Sequence, residues 1–174
     1  MELLKAMMHR RSVRQYAPGK VEREKLEKIL KAGLCAASGR GIRPWELILV
    51  EDPETLEKLS GCREPEKNML AGAGAAIAVI ADPEASTTWV EDCSIVMANM
   101  HLMADWLGLG SCWIQCRMRT AHDETSTEDY VRGILRYPEK MKIEAILSIG
   151  NLKDHPEPYK EEELRMDKVH FGKY

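Results

Sequence analysis

The stretch Gly108-Leu109-Gly110-Ser111-Cys112-Trp113-Ile114-Gln115-Cys116 decides the fold class. It follows residues 88–107, where Ile95, Val96, Asn99, Met100, Met103 and Leu107 recur at helical spacing and predict the longest helix of the chain. The two glycines stop that helix, and Ser111 to Cys116 reads as a short buried strand. A dinucleotide-binding turn runs strand, glycines, helix. Here the order is helix, glycines, strand, so that fingerprint is excluded. Neither a P-loop nor an HExxH zinc motif is present.

Upstream, residues 2–9 predict a short helix with Leu3, Leu4, Met7 and Met8 on one face. A basic turn, Arg10-Arg11-Ser12-Val13-Arg14, follows it. Residues 22–37 predict an amphipathic helix burying Leu26, Ile29, Leu30, Gly33 and Leu34. A loop, Ser38-Gly39-Arg40-Gly41-Ile42-Arg43-Pro44, then leads into the strand-like run Trp45 to Val50. Asp52-Pro53 reads as an N-cap with proline at the first helical position. Ala75 to Ala81 reads as a buried strand. Thr125-Ser126-Thr127-Glu128 has capping-box spacing and opens a helix to about Arg136, and Ile143 to Ile149 is a final strand. Helices alternate with few, short strands, which predicts an α+β fold: a small sheet flanked by helices.

The 174 residues suit one domain spanning 1–174, large enough to bury a core without a disulfide or metal staple. A net charge of −3 gives no general argument for nucleic acid or an anionic membrane, so any anion site must be local. No run approaches the roughly 18 apolar residues needed to span a bilayer. Five cysteines without a regular framework predict reduced thiols and a cytoplasmic setting. The five histidines are scattered and show no metal spacing. Residues 151–174 lack a core pattern, which leaves disorder or docking; Tyr159, Phe171 and Tyr174 favour docking, a second subunit being one candidate surface.

Two constellations could carry chemistry. Arg10, Arg11 and Arg14 surround the Ser12 hydroxyl, and guanidinium forks bind phosphate bidentately. Charge alone makes a solvated helix end the commoner reading of such a cluster. Ser38-Gly39-Arg40-Gly41 could bring backbone close to a ligand, but an ordinary helix end fits as well.

The order of the motifs adds what no single one carries. Arg-Arg-Ser-Val-Arg-Gln-Tyr from Arg10, Ala-Ser-Gly-Arg-Gly-Ile-Arg-Pro-Trp from Ala37, Leu-Gly-Leu-Gly-Ser-Cys-Trp-Ile-Gln from Leu107 and Ile-Leu-Ser-Ile-Gly from Ile146 together resemble the nitroreductase family over essentially the whole chain. The resemblance implies a small, central, mostly antiparallel sheet flanked by helices, in an FMN-dependent homodimer whose C-terminal tail embraces the partner. By the same resemblance, Arg10, Arg11 and Ser12 bind the FMN phosphate and ribityl chain, and Arg14 lies near the flavin N1. Ala37, Ser38 and Gly39 reach the other subunit's flavin. Ile114, Gln115 and Cys116 match the stretch that passes the flavin N5 edge, and Asn68 matches a polar residue that contacts the pyrimidine ring. Gly41 and Arg43 stand where relatives carry amide side chains, so Arg43 is a candidate ring contact. Lys160 is the nearest basic residue for the phosphate from the tail, and Arg165 the next.

The implied activity is electron transfer from NAD(P)H through FMN to a small acceptor such as a nitroaromatic or quinone, in ping-pong order, with no dedicated acid or base. The resemblance also takes in reductive dehalogenases and a flavin-cleaving enzyme. A non-catalytic flavin-binding or redox-sensing protein is the rival from another class, and a flavin-free anion-binding domain the blandest reading.

Overall fold

The computed structural model describes residues 2–64 and 69–174. In chain order the elements are α1 (Leu3–His9), β1 (Tyr16–Ala17), α2 (Arg23–Leu34), β2 (Trp45–Val50), α3 (Pro53–Leu59), β3 (Ala75–Ala81), α4 (Trp89–Trp106), β4 (Leu109–Gln115), α5 (Thr127–Leu135) and β5 (Lys142–Leu152). The strands form one antiparallel sheet, β2-β3-β5-β4, with β1 paired to the last two residues of β5.

Helices cover both faces of this sheet, so its inner strands do not alternate apolar and polar residues. Every residue of β3 is buried. Ala75, Ile77, Val79 and Ala81 pack toward α2 and α4, together with Ala145, Leu147 and Ile149 of β5. Ala76, Ala78 and Ile80 pack toward α3 and α5, together with Ile143 and Ile146. The pairing of β3 with β5 shifts between Val79 and Ile80, which leaves Glu144 as an extra residue in β5.

The helices form where spacing and caps demand. Asp52 accepts the Thr55 N–H at 2.8 Å, and Pro53 follows at the first helical position. In α5 the cap lies one residue later than the capping-box spacing suggests. Ser126, not Thr125, accepts the Asp129 N–H. Glu128 is thereby freed to take the Ile143 N–H at 2.9 Å and the Tyr137 hydroxyl at 2.9 Å, tying α5 to β5.

Two expectations about helix faces are overturned. The buried stripe of α4 is Cys93, Val96, Met97, Met100, His101 and Ala104, whereas Ile95 is 39% exposed. This helix is apolar nearly all round, so periodicity could not choose its face. The second helix ends at Leu34, short of residue 37, and Leu34 is exposed rather than buried. The basic stretch after α1 is likewise no turn: it is irregular and is tied to the open edge of β4 at Val13.

Candidate functional site

The basic stretch is fixed where β4 has a free edge. The Val13 N–H donates to the Ser111 carbonyl at 2.9 Å, which holds Arg10, Arg11, Ser12 and Arg14 along that edge. Gly110 makes this approach possible: a Cβ there would stand 2.7 Å from Val13 Cγ1 and 2.9 Å from Val13 Cβ. The Tyr16 hydroxyl closes the far end, donating to the Val13 carbonyl at 3.0 Å and meeting Ser148 Oγ at 2.6 Å.

Arg10 is held from behind by a buried histidine. Its guanidinium donates to His101 Nε2 at 2.9 Å, so His101 Nδ1 carries the proton and donates to Ser111 Oγ at 2.6 Å. Burial, then the neighbouring Arg10 cation, push the His101 pKa down to about 4. The unfolded chain therefore takes up a proton near pH 6.5 that the folded chain refuses until about pH 4. The contribution of His101 to stability is full above pH 6.5 and is lost as pH falls toward 4. His101→Gln keeps an acceptor for Arg10 and a donor for Ser111 but cannot titrate. It should flatten this part of the profile of denaturation midpoint against pH; an unchanged slope would assign the acid loss elsewhere.

Arg10, Arg11, Ser12 and Arg14 line one polar hollow of about 240 Å³, shared with Pro156 and Tyr159. Arg11 stacks on the Tyr159 ring at 4.6 Å and donates to the Glu157 carbonyl. Arg14 also lines a neighbouring cavity of about 210 Å³ whose other walls include Cys62, Arg63, Met69, Leu70, Cys112, Trp113 and Ile114. Phosphate-binding chemistry and a second cavity of mixed polar and apolar lining thus meet at one side chain.

Not every expected residue joins this site. Ile114 enters the cavity, but the Gln115 side chain is engaged elsewhere. It accepts from Trp113 Nε1 at 2.8 Å and donates to Glu144 Oε1 at 3.2 Å. Burial raises the Glu144 carboxyl above its usual range. Cys116 is sunk in the core beneath α5, where burial pushes its thiol well up. Lys160 is exposed and follows directly on Tyr159, whereas Arg165 is held by Asp167 at 2.6 and 2.7 Å. Asn68 lies outside the described residues.

Ala37, Ser38, Gly39 and Arg43 form a second locus. Asp92, 2% exposed in the first turns of α4, accepts from the Gly39 N–H at 2.8 Å and from the hydroxyls of Ser38, Ser86 and Thr88 at 3.2–3.3 Å. Ser38 Oγ in turn accepts the Arg43 N–H at 2.8 Å. Arg40 and Arg43 both adopt left-handed backbone, with φ of 55° and 53°. Such strain persists only where the surroundings enforce it. This locus contacts α4 at Asp92, while Arg10 contacts it at His101. Nine residues of helix separate them by roughly 14 Å along the axis. Within one chain the two motifs therefore stand apart.

Sequence reasoning missed the roles of His101, Asp92 and Tyr16, and placed Tyr159 in a docking tail without connecting it to this hollow. No signal existed for His101, because the stripe it shares with Met97 and Ala104 cannot be picked out on a helix that is apolar nearly all round. None existed for Asp92, an acidic residue in a first helical turn like many others.

The family model for the nitroreductase family matches residues 7–63 and 61–151. A protein of Archaeoglobus fulgidus named NADH dehydrogenase/NAD(P)H nitroreductase is 35% identical over 99% of both chains. The solved structure of an FMN-dependent nitroreductase from Clostridium difficile superposes with a TM-score of 0.95 at 43% identity, covering 99% of this chain and 100% of that one. A structure from Parabacteroides distasonis, bearing the same name as the Archaeoglobus protein, gives a TM-score of 0.87 at 30% identity over 98% of each chain. The fold, the ordered motifs and these matches agree: the chain belongs to the nitroreductase family.

Proposed function

We propose that this protein is an FMN-dependent oxidoreductase that takes electrons from NAD(P)H and passes them to a small organic acceptor, such as a nitroaromatic or quinone. The observation that carries this reading is the hollow lined by Arg10, Arg11, Ser12 and Arg14, joined through Arg14 to the cavity bounded by Cys112, Trp113 and Ile114. The donor set suits a phosphomonoester: cationic forks and a hydroxyl, with Arg10 aligned by His101. The adjoining cavity offers Met69, Leu70, Trp113 and Ile114 to a flat ring. When bound, FMN supplies the two-electron carrier that lets donor and acceptor react in turn, in ping-pong order. Arg14 holds positive charge beside the ring cavity and stabilises negative charge that develops there on reduction. No side chain is assigned as acid or base.

The reading includes one domain over 1–174 and a homodimer. Leu3, Leu4, Met7 and Trp106 leave a half-exposed apolar face on α1 and α4, with exposures of 49–64%. A second copy seated there would cover it and bring its Ala37, Ser38, Gly39 and Arg43 toward this chain's ring cavity. The tail divides in this reading. Residues 155–159 are tied to the chain's own α1 and α4, while Met166, Val169, Phe171 and Tyr174 are exposed and available to the second copy.

Reconstitution with FMN tests the proposal. The purified protein should turn yellow, and NADH or NADPH should bleach it rapidly without dithionite. A preparation that stays colourless after reconstitution rejects the flavin. Bleaching by dithionite alone would favour a non-catalytic flavin protein.

A further inference from the structure

We infer that His9, Asp105 and His155 form a binding site for a divalent transition metal of the zinc class. Among the described residues, these three form a group whose ligand atoms all lie within 4.8 Å of one another. They come from three separate parts of the chain: the last residue of α1, the last turn of α4 and the segment after β5. Scattered in sequence, they converge only through the fold.

The hydrogen bonding around His155 carries the argument. His155 Nδ1 lies 2.6 Å from the Pro156 carbonyl, so this nitrogen must hold a proton and donate it. His155 Nε2 then faces Asp105 Oδ1 at 2.9 Å. A neutral ring in that tautomer turns a lone pair onto a carboxylate oxygen, which is repulsive. A second proton between them, or a cation bound beside the pair by both atoms at once, relieves that repulsion. His9 Nδ1 approaches the other oxygen, Oδ2, at 2.7 Å, and the two rings stack at 4.3 Å. A single metal ion would satisfy both rings and the carboxylate together.

The surroundings are those of a ligand set. A metal-binding histidine commonly donates its other N–H to a backbone carbonyl, which fixes its tautomer, as His155 does to Pro156. The residue before a proline is restricted to extended backbone, so His155 is presented rather than free. Asp105 is 7% exposed at its side chain and His155 18%, while His9 is open at 42%. Two imidazoles and one carboxylate suit zinc, cobalt or nickel better than magnesium or calcium. Zinc–nitrogen bonds of about 2.1 Å place two ligand atoms roughly 3.3 Å apart on one tetrahedral ion. The contacts at 2.7 and 2.9 Å therefore open by about 0.5 Å and any wider pair, all within 4.8 Å, closes, which needs side-chain movements of about 1 Å. Three protein ligands leave a fourth position for water. The segment is already held in place without the ion, since the Tyr159 N–H donates to the Met8 carbonyl at 2.9 Å.

The test uses the full chain as purified, stripped with EDTA, incubated with zinc and desalted. One zinc per chain should be retained, and the melting temperature should rise with zinc. Cobalt should give visible bands without thiolate charge transfer. His155→Gln and His9→Gln should each weaken binding beyond the roughly 10–100-fold that outer-shell changes cost. His9 is the more exposed, so its variant guards against a failure of His155→Gln to fold. Cys35→Ser, which removes the exposed thiol, should bind as the unchanged protein does. Zinc retained no better than in His9→Gln, or lost in Cys35→Ser, overturns the site and leaves a proton between the two groups. Neither reading depends on flavin, so colourless protein would not affect this outcome.

Discussion

Gly110→Val is expected to lower stability by about 3 kcal/mol and to release the basic stretch from the sheet edge. Gly110 lies within β4, where valine would ordinarily gain up to about 1 kcal/mol of strand preference. Sterics decide the sign. The new Cβ would sit 2.7 and 2.9 Å from Val13, and one of those atoms is Val13 Cβ itself, which cannot swing away. Tyr16 Cε1 stands at 3.3 Å on the same side. Relief requires backbone movement of residues 13–16, which breaks the bond from Val13 N–H to the Ser111 carbonyl. Urea denaturation reads the stability, and flavin retention on desalting reads the stretch. A loss below about 1 kcal/mol with flavin retained would mean that Val13 repacks freely.

Arg10→Ala is expected to weaken FMN binding by roughly a hundredfold, the loss of a charge-assisted phosphate contact worth about 3 kcal/mol. Arg10 is half-buried and aligned by His101, so its guanidinium is in position before any ligand arrives. Arg14 should behave differently. It is exposed and lines both the polar hollow and the ring cavity. Arg14→Ala should cost less affinity but lower the two-electron potential of the bound flavin by about 30–60 mV, the equivalent of roughly 1.4–2.8 kcal/mol. Fluorescence titration and a potential measured against a reference dye separate the two effects. Equal losses of affinity with no change in potential would show that both arginines act only as anchors.

The α+β class, the strands at Trp45 and Ala75 and the helix stop at Gly108 were legible from local pattern. So were the basic cluster and the order of motifs that resembles the family. The face of α4 was not legible, because that helix is apolar on nearly every side and only packing against β3 and β5 selects Cys93, Val96, Met97 and Met100. The cap of α5 was misplaced by one residue for a related reason. Thr125 and Ser126 are both good caps, and the choice falls to Glu128, which is drawn off to Ile143 across 15 residues.

By itself, the sequence determined most of the segments that become helix and strand, though not β1, and which side chains can grip a phosphate, because propensity, capping and charge act over a few residues. Only the tertiary structure decided how those side chains are aimed. Arg10 is set by His101, 91 positions away; His9 meets Asp105 across 96; and Arg11 reaches Glu157 across 146. No periodicity records such pairs. They exist because α1, the end of α4 and the chain after β5 are brought together at the open edge of β4, where Gly110 leaves room for Val13.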